Sequence, residues 1–264
     1  LEMLELQRED FKLPKLGTVL TGIRHELIDG RGFALIRGMP VDRWSREDIA
    51  LAFWGMGRYL GEAIMQNRKG HVLGHVTDIG VDVDNPRFRG YQSAANLIPH
   101  TDIASDLVAL LCLRPAKSGG LSMIASASAI HNAILERRPD LARVLSAPYF
   151  VDRREEVPRL TGAQVEAMDL IDELAFDDDI RLDMDFRPGD IQIVNNLITL
   201  HSRTAYEDWP EPDRRRHLLR LWFAVQEGWP LPDVYFDRYE ADAHGRPRGV
   251  TVPGIPPVAA LEPV

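Results

Sequence analysis

Three residues in two separate parts of the chain carry the side chains of a mononuclear metal site. His100 and Asp102 stand two positions apart, and on an extended backbone residues i and i+2 project from the same face, as two ligands of one ion must. His201 ends the apolar segment 198–200 and can supply a third ligand from a neighbouring strand. Two histidines and one carboxylate leave three positions open on the metal, which Fe(II) needs to bind a bidentate oxoacid together with O₂. The H-x-D spacing alone is a weak signal, because a chain with eight histidines often contains it by chance.

Two arginines follow His201 in an apolar segment that predicts a buried strand. If residues 216–225 form that strand, Arg216 and Arg220 point to the same face. An arginine inside a core is costly unless it meets an anion, and its planar fork suits a carboxylate. Four strand positions span about 13 Å, so we expect each arginine to hold a different anion. The alternative is a solvated arginine cluster closing a hairpin, which is the role we expect for residues 214–215.

Composition limits the class of protein. The 264 residues are 45% hydrophobic and 27% charged, as in soluble globular proteins. The formal net charge is −9 without a basic block, so we expect no nucleic-acid partner. No apolar stretch is long enough for a membrane span, so we expect no membrane association. The single cysteine, Cys112, lies in an apolar run and excludes an intrachain disulfide, which favours a reducing cytoplasm.

The periodicity of apolar residues predicts helices early in the chain, then strands, a helical insert and further strands. Helices are expected at 16–30, after the N-cap Ser45, at 128–137 and 139–146, and from the capping box Thr161 to Gln164. Strands are expected at 32–38, 107–113, 121–125, 182–186, 191–194, 198–201 and 218–225. This order favours an α+β fold with a mainly β core, an antiparallel barrel or jelly roll, over alternating βαβ units.

No repeat or interdomain linker divides the chain, so we expect one domain over 1–264. Its parts are a helical and strand-containing N-terminal part, 1–97, and a β core of about 98–226 with a helical insert of about 127–176. A Pro- and Gly-rich tail, 227–264, follows. Most other histidines, His71 and His75 among them, are expected to be structural or to lie at the surface.

Several motifs in this order resemble one enzyme family. They are His100-Thr-Asp102, Gly119-Gly-Leu-Ser122, Pro188-Gly-Asp190 with Asn195-Asn196, and His201 followed by Arg216-His-Leu-Leu-Arg220. Together they resemble the taurine dioxygenase-like (TauD/TfdA) family of Fe(II)/2-oxoglutarate-dependent oxygenases, which is related to clavaminate synthase. The resemblance covers about residues 30–225.

The resemblance implies a double-stranded β-helix, which is a cupin-like jelly roll with flanking helices, and a role for each matching residue. His100, Asp102 and His201 would bind Fe(II). Arg216 and Ser122 would hold the distal carboxylate of the cosubstrate 2-oxoglutarate, and Arg220 would bind an acidic group of the substrate. The implied reaction oxidises an unactivated C–H bond with O₂ and releases succinate and CO₂. Hydroxylation is the default outcome. Desaturation or cyclisation, such as cyclopropanation in natural-product biosynthesis, would need only a different placement of the substrate.

The substrate is expected to be a small anionic or amino-acid-like molecule. Besides Arg220, Asp106 has the same parity as His100 and Asp102 if the strand continues, and could face a substrate ammonium group; capping of a loop is the other interpretation of Asp106. Two other function classes remain at this point. One is a cupin-like metal hydrolase or lyase that uses the same three ligands without 2-oxoglutarate, and the other is a non-catalytic jelly-roll binding module.

One segment is short compared with the family pattern. Between Glu156 and Val157 similar proteins carry further strands and a loop over the active site, and the chain begins with Leu1 rather than Met. We therefore expect that residues are omitted here. An intact mass close to 29.8 kDa would contradict this expectation.

Overall fold

Two antiparallel sheets face each other across a cavity and carry most of the residues singled out above. The structure is a computed structural model that describes residues 2–80, 90–147, 149, 158–237 and 239–263. The expected omission between Glu156 and Val157 lies outside the described residues.

The strands are β1 Phe33–Ile36, β2 Glu62–Ile64, β3 Leu73–Val76, β4 Leu97–His100, β5 Leu107–Arg114, β6 Ser118–Gly119, β7 Ser122–Ser126, β8 Arg181–Met184, β9 Ile191–Asn195, β10 Thr199–Arg203, β11 Tyr206–Glu207 and β12 His217–Ala224. The α-helices are α1 Leu16–Ile28, α2 Arg46–Gly57, α3 Ala127–Arg137, α4 Pro139–Leu145, α5 Gly162–Ala175 and α6 Asp233–Phe236. Short 3₁₀ turns lie at Met3–Glu5, Arg8–Asp10, Gly90–Gln92 and Pro212–Arg214.

The larger sheet has the strand order β1-β9-β5-β12-β2, and β3 also pairs with β12. Every residue of β12 is buried, because both faces of this strand are covered. Leu219, Leu221 and Phe223 pack with residues of α1 and α2 in the main apolar core. Arg220 and Trp222 alternate with them and line the cavity. The predicted alternation is therefore confirmed at Arg220 and Trp222, in a strand that spans His217–Ala224 and has an irregular pairing between His217 and Leu218.

The smaller sheet has the order β4-β10-β7-β8. A second apolar core joins this sheet to α3, α4 and α5, with Ile134, Leu141 and Leu174 nearly inaccessible to solvent. The capping box that opens α5 forms as predicted, since Thr161 accepts from the backbone of Gln164 and the Gln164 side chain accepts in return. The insert therefore covers the outer face of the smaller sheet and leaves its inner face to the cavity.

The α+β jelly roll is confirmed, and the predicted helices and strands form within a few residues of their expected ends. Two short strands of the polar stretch 61–97, β2 and β3, were not predicted. They and β1 belong to the larger sheet, so the sheet extends N-terminal to the predicted start of the β core near residue 98. The organisation as a single oxygenase domain stays a prediction.

The C-terminal tail lies against the loop that joins β2 to β3. Gly249 forms a bridge with Met65, and Val258 forms one with His71. Val72 N donates to Val258 O at 2.8 Å. Among the helices of the described ranges, none is long and apolar enough to cross a bilayer.

Candidate active site

A cavity of about 460 Å³ lies between the two sheets. Side chains from β3, β5 and β12 line it on one side, and side chains from β4, β7 and β10 line it on the other. His100, Asp102, His201, Ser122, Arg216 and Arg220 are all among them. The fold therefore brings together six of the seven residues that sequence reasoning selected, although up to 120 positions separate them.

His100, Asp102 and His201 form a compact group of possible metal ligands. One ligand atom from each lies within 4.8 Å of the others. His100 on β4 is paired directly with His201 on β10, and their ring centroids are 4.3 Å apart. His201 Nε2 lies 3.8 Å from Asp102 Oδ2. Adjacent strands of the smaller sheet thus supply two of the three groups, and the loop after β4 supplies the third.

Both imidazoles can offer a lone pair to a metal. His100 Nδ1 lies 2.8 Å from Ile98 O, and because a carbonyl only accepts, Nδ1 carries the proton and Nε2 is left free to bind. Burial, more than any neighbouring charge, lowers the pKa of His201 to about 4. At neutral pH His201 is therefore uncharged, which is the form that binds metals.

Asp102 is held in place by neighbours at its backbone and at its carboxylate. Its amide N donates to Asn196 Oδ1 at 2.8 Å, and Asn196 Nδ2 donates to Asp102 O at 2.6 Å. Trp222 Nε1 donates to Asp102 Oδ2 at 2.9 Å. Burial raises the pKa of the Asp102 carboxyl, but the charge of Arg220, the neighbouring His201 and His100, and the hydrogen bond from Trp222 more than offset this, so the pKa lies below its usual value. Asp102 is therefore ionised and oriented, as a ligand must be.

These features fit a divalent transition metal such as Fe(II). Two neutral imidazoles and one ionised carboxylate are the donor set of the facial site of non-haem iron oxygenases. Hydrogen bonds to Ile98 O and to Asn196 Oδ1, and one from Trp222 Nε1, fix the orientation of two of the ligands before metal binds.

Arg216 supplies a buried positive charge to the same cavity. Its side chain is 4% exposed, and its Nη1 has no hydrogen-bond partner. Burial lowers the pKa of the guanidinium, and no carboxylate of the described residues forms an ion pair with it. Ser122 is also buried in the lining, and its Oγ donates to Gln192 Oε1 at 3.1 Å. A buried cation with an unused donor is suited to an anionic ligand.

Arg220 faces the cavity as predicted, but the protein already uses two of its three nitrogens. Arg220 Nη1 lies 3.3 Å from Asp102 Oδ2, and Nε donates to Gln66 Oε1 at 2.7 Å. Its guanidinium carbon also lies 4.6 Å from the centroid of the Tyr91 ring. Only Nη2 is without a hydrogen bond to the described part of the protein, so Arg220 supports Asp102 and still has one nitrogen to offer a substrate.

Asp106 does not face the cavity, and the prediction that it contacts a substrate ammonium is wrong. The carboxylate is 2% exposed and forms an ion pair with Arg246 of the tail, whose Nε lies 3.1 Å from Oδ2. Asp106 Oδ2 also accepts from Val225 N at 2.8 Å. The parity argument failed because the strand ends at His100 and Ala104 has a φ of +57°, so the chain turns between Asp102 and Asp106. Capping of a loop, the other interpretation, is closer to what Asp106 does.

Sequence reasoning missed Gln66, Tyr91, Gln192 and Arg203, which also line the cavity. Gln66 and Tyr91 contact Arg220 from a polar stretch with no recognisable periodicity. Arg203 follows His201 by two positions, so the same parity argument could have placed it in the cavity. His75, which was expected to be structural or to lie at the surface, forms a buried pair with His217, for which no role was predicted; His75 Nδ1 lies 2.8 Å from His217 Nε2.

Comparison with known proteins agrees with this geometry. The chain matches the family described as "Taurine catabolism dioxygenase TauD, TfdA family" over residues 2–162 and 149–222. FR-33289 synthase of Streptomyces rubellomurinus is 30% identical over 273 residues, which cover 88% of this chain and 80% of the synthase.

Two solved structures have a similar fold. An asparagine oxygenase in complex with Fe(II), hydroxyasparagine and succinate has a TM-score of 0.59 and 21% identity, with 89% of this chain and 85% of the oxygenase covered. The non-haem iron oxygenase OrfP, in complex with Fe, succinate and (3S)-hydroxy-L-Arg, has a TM-score of 0.59 and 17% identity, with 94% of this chain and 90% of OrfP covered.

Proposed function

The chain belongs to the taurine catabolism dioxygenase TauD/TfdA family, and on that premise we propose that its cavity oxidises a C–H bond of a small, anionic, amino-acid-like substrate. The enzyme is a dioxygenase that depends on Fe(II), 2-oxoglutarate and O₂. When bound, iron and 2-oxoglutarate supply the oxidising chemistry, with release of succinate and CO₂.

Each residue of the cavity has a separate task in this proposal. His100, Asp102 and His201 hold Fe(II). Arg216 and Ser122 hold the distal carboxylate of 2-oxoglutarate, since a guanidinium fork matches its oxygen atoms and the Ser122 hydroxyl can donate to one of them when it rotates away from Gln192 Oε1. The apolar walls between the two sheets exclude water and aim one C–H bond at the metal, because placement within about an ångström decides which bond reacts. Hydroxylation is the default outcome in this arrangement, and desaturation or cyclisation needs only a different substrate placement.

The observation that carries the proposal is the unpaired Nη1 of the buried Arg216 in the same cavity as the three metal ligands. A cupin-like hydrolase or lyase would use the three ligands, but it would leave this cation without an anion. A binding module without catalysis would have no use for either group. Only a dicarboxylate oxoacid that reaches from the metal to Arg216 gives both a purpose.

The substrate proposal rests on Arg220 and on the similar structures. Arg220 Nη2 faces the cavity next to the metal ligands and suits a carboxylate or another acidic group. Two proteins of the same fold were solved with hydroxylated amino acids, namely hydroxyasparagine and hydroxyarginine. We also place the enzyme in the cytoplasm, because its single cysteine, Cys112, is a free thiol and excludes an intrachain disulfide.

The proposal is tested by substrate-stimulated turnover. Purified enzyme with Fe(II), O₂ and 1-¹⁴C-labelled 2-oxoglutarate is offered free amino acids, amino sulfonates and amino phosphonates, and also the matching amino alcohols, which lack the acidic group; released ¹⁴CO₂ and product masses are measured. We expect at least one class to stimulate CO₂ release and to gain one oxygen atom or lose two hydrogens. Arg220→Gln should raise KM for that substrate. Stimulation only by compounds without an acidic group would contradict the substrate proposal.

A further inference from the structure

A second buried guanidinium lies at the Arg216 end of the cavity. Arg203 is the last residue of β10 and is paired directly with Ser122 on β7. It follows His201 by two positions, so both side chains project from the same face of the strand. Arg203 lines the cavity together with Ser122 and Arg216. Ser122, Arg203 and Arg216 therefore line the same end of the cavity.

The protein satisfies only part of the Arg203 side chain. Arg203 is 5% exposed, and its Nη2 donates to Ser93 O at 3.0 Å and to Ala95 O. Its Nε and Nη1 are buried without a hydrogen-bond partner. Among the described residues no carboxylate forms an ion pair with it. A role limited to supporting the 93–95 loop accounts for one nitrogen and leaves two charged donors unused.

Arg203 and Arg216 are held on the same aromatic ring. Their guanidinium carbons lie 4.6 Å and 5.2 Å from the centroid of Tyr206. Two like charges at low dielectric repel each other, and each unpaired buried donor costs free energy. An anion with several acceptor sites would neutralise both groups, so this arrangement favours binding of such an anion.

We infer that Arg203 is a second cationic contact for the distal carboxylate of 2-oxoglutarate, and that it sets the preference of the enzyme for an oxoacid with a charged distal end. The inference rests on the proposed function of Arg216 and Ser122. A carboxylate offers about four acceptor positions, which the Arg216 fork and the Ser122 hydroxyl do not fill. The Nε and Nη1 donors of Arg203 can fill those that remain.

The test compares two oxoacids that differ only at the distal end. Fe(II)-loaded protein is titrated without oxygen with 2-oxoglutarate or with 2-oxopentanoate, which can chelate iron but has no distal carboxylate, and the visible band of the chelate gives each Kd. We expect Arg203→Gln to raise the Kd of 2-oxoglutarate about 10-fold or more and to leave that of 2-oxopentanoate unchanged. Arg203→Lys, which keeps the charge but loses the fork, should give a smaller rise for 2-oxoglutarate alone.

A matched control is Arg114→Gln. Arg114 is partly buried, donates from Nε to Arg215 O at 2.9 Å and lies outside the cavity lining, so its replacement should leave both Kd values unchanged. Equal weakening of the two oxoacids by Arg203→Gln would reduce Arg203 to a support of the 93–95 loop and overturn the inference. An unchanged Kd for 2-oxoglutarate would overturn it as well.

Two further results distinguish a failure of this inference from a variant that does not fold and from a failure of the proposed function. If Arg203→Gln does not fold, the Arg203→Lys comparison decides, and an unchanged ratio of the two Kd values would refute the inference. A wild-type protein that binds iron but gives no band with 2-oxoglutarate would refute the proposed function itself.

Discussion

The buried pair of His75 and His217 makes the unfolding free energy of the protein depend on pH. His75 Nε2 lies 2.9 Å from Ala260 O, and because a carbonyl only accepts, this nitrogen carries a proton. His75 Nδ1 is then the acceptor of the proton on His217 Nε2, at 2.8 Å. The network is complete with both rings neutral, and it ties the C-terminal tail to the larger sheet.

The sign and size of the effect follow from the pKa of His217. Burial first, and then the neighbouring His75, Arg46 and Arg114, lower this pKa to about 3, against 6.5 for an ordinary histidine. As the pH falls below the ordinary value, the unfolded chain binds a proton that the folded chain does not, so stability is retained above it and lost below it. Between pH 7.5 and pH 5 this single group should cost about 2 kcal/mol of unfolding free energy.

The assay is urea unfolding of metal-free protein at pH 7.5 and at pH 5, for the wild type and for His217→Gln. The amide of glutamine can still donate to His75 but does not titrate, so the variant should lose about 2 kcal/mol less than the wild type over this interval. His131 is exposed on α3, and His131→Gln should behave like the wild type. The same pH dependence in His217→Gln and in the wild type would refute the reasoning.

Three further substitutions test the cavity, the tail and the core. Arg216→Met should raise the Kd of 2-oxoglutarate about 10-fold or more, and an unchanged Kd would contradict the role assigned to Arg216. The variant should be no less stable in urea as metal-free protein, because the substitution removes an unpaired buried charge. Arg246→Met should lower the unfolding free energy by about 3–5 kcal/mol, because it leaves the Asp106 carboxylate buried and unpaired. A loss below about 1 kcal/mol in the same urea assay would show that the Arg246–Asp106 pair is not desolvated. Phe223→Ala, at a fully buried position, should cost about 3–5 kcal/mol, and a near-neutral result would mean that this face of β12 is not core.

Local signals predicted the elements of this fold well because those signals act locally. The N-cap Ser45, the capping box at Thr161 and the apolar stripe of α1 each depend on residues a few positions apart. The strands β2 and β3 were missed for the converse reason. They are short and gain their stability by pairing with β12, about 150 positions away, which no local pattern records.

The positions of site residues could be predicted where the alternation of side chains along one strand decides which face they lie on. They could not be predicted where the chain turns. Arg220 and Trp222 face the cavity because β12 is regular through them, and Arg216 lines the same cavity from the position just before β12. Asp106 was misplaced because the left-handed backbone at Ala104 interrupts the alternation. Its partner Arg246 lies 140 positions away, so sequence reasoning had no means to pair them.

In the proposed function, one cavity binds Fe(II) through His100, Asp102 and His201 and binds 2-oxoglutarate between the metal and Arg216. The most direct measurement adds Fe(II) and then 2-oxoglutarate to metal-free protein without oxygen, and records the visible spectrum. We expect the weak charge-transfer band of a chelated oxoacid, and its loss in His201→Ala. Iron binding without any band on addition of 2-oxoglutarate would contradict the proposed binding of 2-oxoglutarate and would favour a metal hydrolase or lyase.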